Sequence, residues 1–287
     1  MNDPSQTAVE HGRDQAQAKT DADPMLRYGL LFLAASRREA ATPLYALWRE
    51  LREVNDECRE PQVAQAKLGW WIEEIQALYR GRPRHPLTAA LAPVVARHRL
   101  PAEPLLELIR ALAEHAARPG YRTYETLRAH ASATRGRLEA LAARHAEGAD
   151  DETAEWADGL GAALELAELV GDAGADAARG RVYLPHEDLM RFGVAPQELH
   201  AGRATEGVRR LIAFEAQRLA AELAHDLAIV PAAQRPRLLT PLVAAGIARV
   251  RLEQIRARPE RALHERVQPA PLRQLWIAWR TARRARG

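Results

Sequence analysis

From Met25 to Ala285 the apolar positions recur every three to four residues, and short breaks marked by proline or glycine interrupt them. This period predicts helices near 26–34, 37–58, 61–80, 86–98, 102–117, 121–147, 151–174, 204–227, 235–257 and 270–285. The breaks fall at Gly81-Arg82-Pro83, Leu100-Pro101, Arg118-Pro119-Gly120, Gly148-Ala149-Asp150, the stretch 182–196 and Val230-Pro231. Alanine, leucine, glutamate and arginine dominate, and β-branched runs bounded by Gly or Asn are nearly absent, so the expected class is all-α. No repeat of fixed period appears, which argues against a helical solenoid. No break is long enough to divide the chain, so residues 25–287 read as one domain. Residues 1–24 lack apolar periodicity and read as a disordered polar tail.

Composition narrows the function classes. Net charge is only +3 over 287 residues, and no basic face with interleaved aromatics is visible, so a nucleic-acid binder is not expected. Lys19 and Lys67 are the sole lysines, which makes the positive charge almost entirely arginine. Cys58 is the single cysteine and excludes an internal disulfide or a CxxC metal site. The N-terminus has no apolar signal region, and no apolar run reaches the roughly 18 residues of a membrane span. The expectation is a cytoplasmic protein. Trp70-Trp71 fall in an apolar stripe with Leu68, Ile72 and Ile75 and read as core. The last helix joins an apolar face (Leu272, Leu275, Trp276) to a basic end (Arg283, Arg284, Arg286). It closes the fold, or it touches the inner face of an anionic membrane.

One segment carries candidate chemistry. Between Leu164 and Pro185 the chain reads LELAELVGDAGADAARGRVYLP. Asp172 and Asp176 are four apart, so on a helix both carboxylates leave one face. Two oxygen anions at that spacing suit Mg²⁺, which prefers carboxylates, retained water and substrate phosphates. Arg179 and Arg181 follow at the helix end and suit phosphate. Together they suggest a magnesium–diphosphate site. No dinucleotide fingerprint is present.

The same segment, from Ala163 through Asp172 and Asp176 to RGRVYLP, resembles the second aspartate motif of the squalene and phytoene synthases. Glu187 to Val194, Leu44 to Glu50, Leu68 to Trp71 and His85-Pro86 are similar to further segments of that family, in its order. The resemblance covers about residues 26–285. It implies an isoprenoid-synthase-type helical bundle around a central cavity. It also implies Mg²⁺-dependent head-to-head joining of two isoprenyl diphosphates, farnesyl or geranylgeranyl. On this resemblance Asp172, Asp176 and Asp56 are the catalytic carboxylates, and Glu168 and Glu53 assist them as metal ligands. Arg49, Arg179, Arg181, Tyr183 and His130 contact substrate.

The chain also departs from the family pattern. Where the first motif reads roughly CRxxDDxxD, this sequence keeps Arg49 and Asp56 but has Arg52 and Glu53 for the first two aspartates. In the second motif Glu165 stands for a glutamine, Glu168 for an asparagine and Gly171 for an arginine, and His130 replaces a tyrosine. Two readings follow. Arg52 pairs with Glu168 or Glu165 across the cavity and takes metal space, because a buried cation needs a partner. Alternatively, Mg²⁺ stays on Asp172, Asp176 and Glu168. The first leads to a catalytically silent member acting as an assembly or scaffold factor. It resembles the family's respiratory complex I assembly branch in the Pro271 to Arg280 ending. The second leads to a working prenyltransferase.

Overall fold

The computed structural model describes residues 4–58, 60–118 and 120–286, and among these no strand forms. The helices in chain order are α1 (Pro4–Ala22), α2 (Pro24–Leu31), α3 (Ala35–Glu57), α4 (Pro61–Tyr79), α5 (Pro86–His98) and α6 (Ala102–Ala117). Then come α7 (Tyr124–Ala131), α8 (Arg137–Leu141), α9 (Asp151–Gly171), α10 (Ala173–Ala178), α11 (His186–Phe192) and α12 (Pro196–His200). The chain closes with α13 (Glu206–Ile229), α14 (Leu239–Ala257), α15 (Arg261–His264) and α16 (Pro271–Ala285). Widened π turns over Ser132–Gly136 and Ala142–Ala146 join α7 to α8 and extend α8, so 124–146 runs nearly without a break.

Local chemistry sets the starts. Pro24, Pro61, Pro86, Pro196 and Pro271 open helices where a missing N–H costs nothing. The Asp23 carboxylate accepts from the backbone N–H of Met25 (2.9 Å) and Leu26 (3.2 Å), and Thr123, Asp150 and Thr205 cap in the same way. The centre is α9, which packs against α7, α8, α13 and α14. Every residue from Leu160 to Gly171 is buried, as expected of a helix apolar nearly all round. Glu165 and Glu168 interrupt that wall.

Four expectations change. Residues 4–22 are not a disordered tail; they form α1, which lies along α5 and α3. Its inward positions, Gly12, Ala16 and Thr20, are buried and four apart, but they are too small to register as an apolar stripe. A methyl group on Gly12 would overlap the Pro86 carbonyl, so only glycine permits this approach. Lys19 adds ion pairs to Glu50 (2.6 Å) and to Glu53 of α3. Residues 1–3 lie outside the described residues.

The helix expected over 151–174 ends at Gly171, where Asp172 (φ −107°, ψ 8°) leaves the helical region and α10 resumes at Ala173. The Asp176 N–H still donates to the Asp172 carbonyl (2.9 Å), so the two carboxylates flank a kink. The break at 182–196 holds α11. Trp71 is buried as core, whereas Trp70 is half exposed and meets it edge-on. No helix among the described residues is long and apolar enough to cross a membrane.

Gly12→Leu should push α1 off α5 and cost roughly 1–3 kcal/mol, the range for overpacking a close contact. Urea denaturation measures the loss, and limited proteolysis should then cleave within 4–22. Rapid cleavage there in the wild type would instead show that α1 does not dock.

Candidate functional site

A cavity of about 420 Å³ opens between α3, α6, α9, α10 and α15. Arg49, Arg52 and Asp56 of α3 line one wall, and Glu165 and Glu168 of α9 line another. Asp172 at the kink, Asp176 of α10, Arg179, Arg181 and Tyr183 complete the part expected from the sequence.

The floor of the cavity is a network of buried charges. The Arg52 guanidinium, 7% exposed, donates to Glu165, lies 3.5 Å from the Glu168 carboxylate, and rests 5.6 Å from the Trp48 ring centre. Glu168 accepts a second guanidinium from Arg135, in the first π turn, and Arg135 lies 3.6 Å from Glu139. Glu139 in turn accepts the Tyr45 hydroxyl. Burial opposes ionisation of Glu168, but Arg135 and Arg52 outweigh it and hold its pKa at about 2. Burial lifts Glu165, for which Arg52 is the main opposing charge. Arg52 itself is buried, yet Glu165, Asp56 and Glu168 keep it charged.

A second device lies at the kink. Arg251 of α14 donates to the Asp172 carboxylate at 2.7 Å. Its guanidinium fills the space a Gly171 side chain would need. An arginine thus stands beside this aspartate after all, delivered by another helix.

The remaining expected residues divide. Asp56 faces the cavity and has no ion-pair partner among the described residues. Arg49 also lines it and reaches Asp23 at 3.4 Å. Arg179 stands at the rim, 3.7 Å from Asp176 and 39% exposed along its side chain. Glu53 is not on the cavity wall, because Lys19 and Arg49 draw it outward. Arg181 donates to the Asn55 and Cys58 carbonyls, satisfying the open end of α3. His130 is not on the wall either: it stacks behind His115 (ring centres 4.4 Å apart) with an unpartnered Nε2. Burial pushes His130 down to about 3, so it is neutral and offers no cation to a diphosphate. His115 forms the wall, stacked on Tyr183 (4.2 Å) and bonded to the Tyr121 hydroxyl (2.7 Å).

The donor set does not fit a multi-magnesium cluster. The α3 wall offers Asp56 but sets a guanidinium one turn earlier, and arginines already engage Glu165, Glu168 and Asp172. Burial, then the neighbouring Asp172 and Asp56 charges, raise Asp176 to about 7. No group of three or more His, Cys, Asp or Glu among the described residues is arranged to hold a metal. Expected ligands Asp172, Glu168 and Glu53 are therefore occupied by cations of the chain itself.

Sequence reasoning missed Arg135, Arg251, Lys19 and Arg266, the last lining the cavity from beyond α15. Two of them left a signal. Arg135 falls on the buried stripe Leu127, Ala131, Leu138, and Arg251 on the stripe Val243, Ile247, Ile255. A charge at an apolar position of a helix needs a buried partner.

Removing Arg52 leaves Glu165 buried alone, so Arg52→Ala should cost about 3–5 kcal/mol, and adding Glu165→Gln should restore part of it. Urea denaturation of the single and double variants tests this; an unchanged midpoint for Arg52→Ala would show a solvated, dispensable pair. For Asp176, a folded pKa of about 7 exceeds the unfolded value of about 3.9, so the folded state binds more protons between them. Stability should fall through this group as pH rises across that window and be unaffected below it. Asp176→Asn should be more stable than wild type at alkaline pH, by at most about 4 kcal/mol, and equal to it in acid. Parallel stability curves would show that Asp176 ionises normally.

Comparison with known proteins agrees with the fold. The family model described as squalene/phytoene synthase matches residues 20–273. Phytoene synthase 1 of Arabidopsis thaliana is 27% identical over 197 residues, 66% of this chain and 46% of that protein. The phytoene synthase of Arthrospira platensis is 26% identical over 203 residues, covering 66% of each. The match thus spans about half to two thirds of the length of these relatives. The squalene synthase HpnC from Alicyclobacillus acidocaldarius superposes with a TM-score of 0.71 at 29% identity, covering 91% of this chain and 96% of that one. A dehydrosqualene synthase superposes at 0.81 with 20% identity over 97% of this chain and 98% of that one, a likeness of fold. With its helical bundle, its walls of acids and arginines and this match over most of its length, the chain belongs to the squalene/phytoene synthase family.

Proposed function

We propose that this protein holds an isoprenyl diphosphate in the central cavity through arginines and does not join two of them head to head. The observation that carries the reading is Arg52, seated in the wall of carboxylates and bonded to Glu165. Ionising a prenyl carbon–oxygen bond requires strong neutralisation of the departing diphosphate, which metal ions supply as Lewis acids. Guanidiniums already neutralised by glutamates supply far less. For a ligand the cavity offers Arg266, which has no carboxylate partner among the described residues, and Arg49 and Arg179, which pair only loosely with Asp23 (3.4 Å) and Asp176 (3.7 Å). Guanidiniums suit phosphate oxygens by geometry and charge. A family member that binds its lipid without consuming it fits an assembly or scaffold role. The rival reading, Mg²⁺-dependent condensation, draws on Asp172 and Asp176 retained on the cavity wall and on Asp56, which faces the cavity with no ion-pair partner among the described residues.

Calorimetry with farnesyl diphosphate, in Mg²⁺ and in EDTA, is the test. Affinities should agree within about threefold, and Arg179→Ala and Arg266→Ala should each weaken binding roughly tenfold, the scale of a hydrogen bond to a charged group. The variant carrying Arg52→Asp, Glu165→Gln and Glu168→Asn should gain Mg²⁺-dependent binding. Extraction of a hydrocarbon made from two prenyl chains, after incubation of the wild type with Mg²⁺, would overturn the reading.

A further inference from the structure

The last helix is apolar on two sides, and its fold explains only one. Ile277, Ala278, Ala282 and Ala285 are buried where α16 packs on α14 and α2. Leu272, Leu275, Trp276 and Trp279 face outward, at successive helical positions three, four and seven residues from the first. Leu272 is 82% exposed, Trp276 52% and Trp279 48%, so large apolar surface forms one stripe in water. Leu31, at the end of the adjoining α2, is exposed as well. A contiguous exposed stripe of this kind marks an interaction surface.

The charge around the stripe selects the partner. Arg280 lies over the Trp276 ring (4.4 Å) and Arg283 over that of Trp279 (5.2 Å). A groove of about 460 Å³ between α14 and α16 adds Arg249, Arg273 and Arg284, with Glu253 as the one acid in its lining. None of these five arginines pairs with a carboxylate among the described residues, whereas Arg251, further along α14, pairs with Asp172. Unpaired guanidiniums flanking indoles and leucines match a bilayer interface, where indole rings sit at headgroup level, the stems lie along apolar surface and the charges meet lipid phosphates. A protein partner would have to bring several carboxylates to an apolar stripe, whereas an anionic bilayer offers both natures at once.

We propose that the outward face of α16, with the arginine groove beside it, docks the protein on an anionic phospholipid bilayer. The stripe of Leu272, Leu275, Trp276 and Trp279 enters the interface, and Arg273, Arg280 and Arg284 take the phosphates. The proposal stands whether or not the cavity binds a prenyl diphosphate.

Vesicle flotation tests it, comparing phosphatidylcholine alone with phosphatidylcholine mixed with phosphatidylglycerol. The full chain should float with the mixed vesicles, stay in solution with the neutral ones, and be released by high salt. An arginine near an anionic leaflet contributes about 1 kcal/mol, so Arg273→Gln, Arg280→Gln and Arg284→Gln together should weaken binding on the order of a hundredfold. Trp276→Ser with Trp279→Ser should also weaken it, with melting temperature kept, because both side chains point away from the core. Free glycerol phosphate should not compete; competition would assign the groove to a soluble phosphate and overturn the proposal. So would equal binding to both vesicle types, binding to neither, or concentration-dependent self-association that the double tryptophan variant abolishes.

Discussion

A guanidinium that cannot reach water organises the middle of this protein. Arg52 emerges from α3 among buried apolar and acidic side chains of α9, and an unpaired cation there costs several kcal/mol. Glu165 answers it directly. Glu168, one turn further along α9, adds more negative charge than Arg52 alone can balance, and Arg135 arrives from the π turn to take it. Arg135 brings Glu139 with it, and Glu139 uses the Tyr45 hydroxyl. Each member satisfies the previous one and creates a need for the next, so α3, α7–α8 and α9 are tied together by charge as well as by packing.

The consequence for the cavity is that its acids are largely spent on the protein's own cations. A diphosphate entering it would meet guanidiniums at the wall and rim instead of carboxylates waiting for metal. The kink repeats the theme: Gly171 makes room, Arg251 fills it, and Asp172 is engaged. Family membership does not by itself carry family chemistry: the fold needs the helices and their apolar faces, while condensation needs oxygen ligands free for metal on both walls.

The same arginine richness has opposite meanings in two places. On the cavity floor the guanidiniums of Arg52 and Arg135 each have a carboxylate, and the result is internal. Along α16 and its groove with α14 five guanidiniums have none among the described residues, and the outward Trp and Leu stripe beside them is exposed. Composition alone cannot distinguish these cases; pairing does.

The order of helices was legible in the sequence because long amphipathic periods and Pro or Gly breaks are local signals, and local signals survive without knowledge of the fold. The need of Arg52 for an acid was legible too, since it follows from charge and burial on facing helices. Tertiary structure alone decided the rest. It chose Glu165 as the direct partner and recruited Arg135 and Arg251 from distant helices. It turned Glu53 outward to Lys19, and placed His130 behind His115 rather than on the wall. It also docked α1, whose contact face of Gly12, Ala16 and Thr20 buries by closeness of approach and not by hydrophobicity. Periodicity reports which residues avoid water, whereas complementarity of shape and the pairing of charges between remote segments exist only once the helices meet.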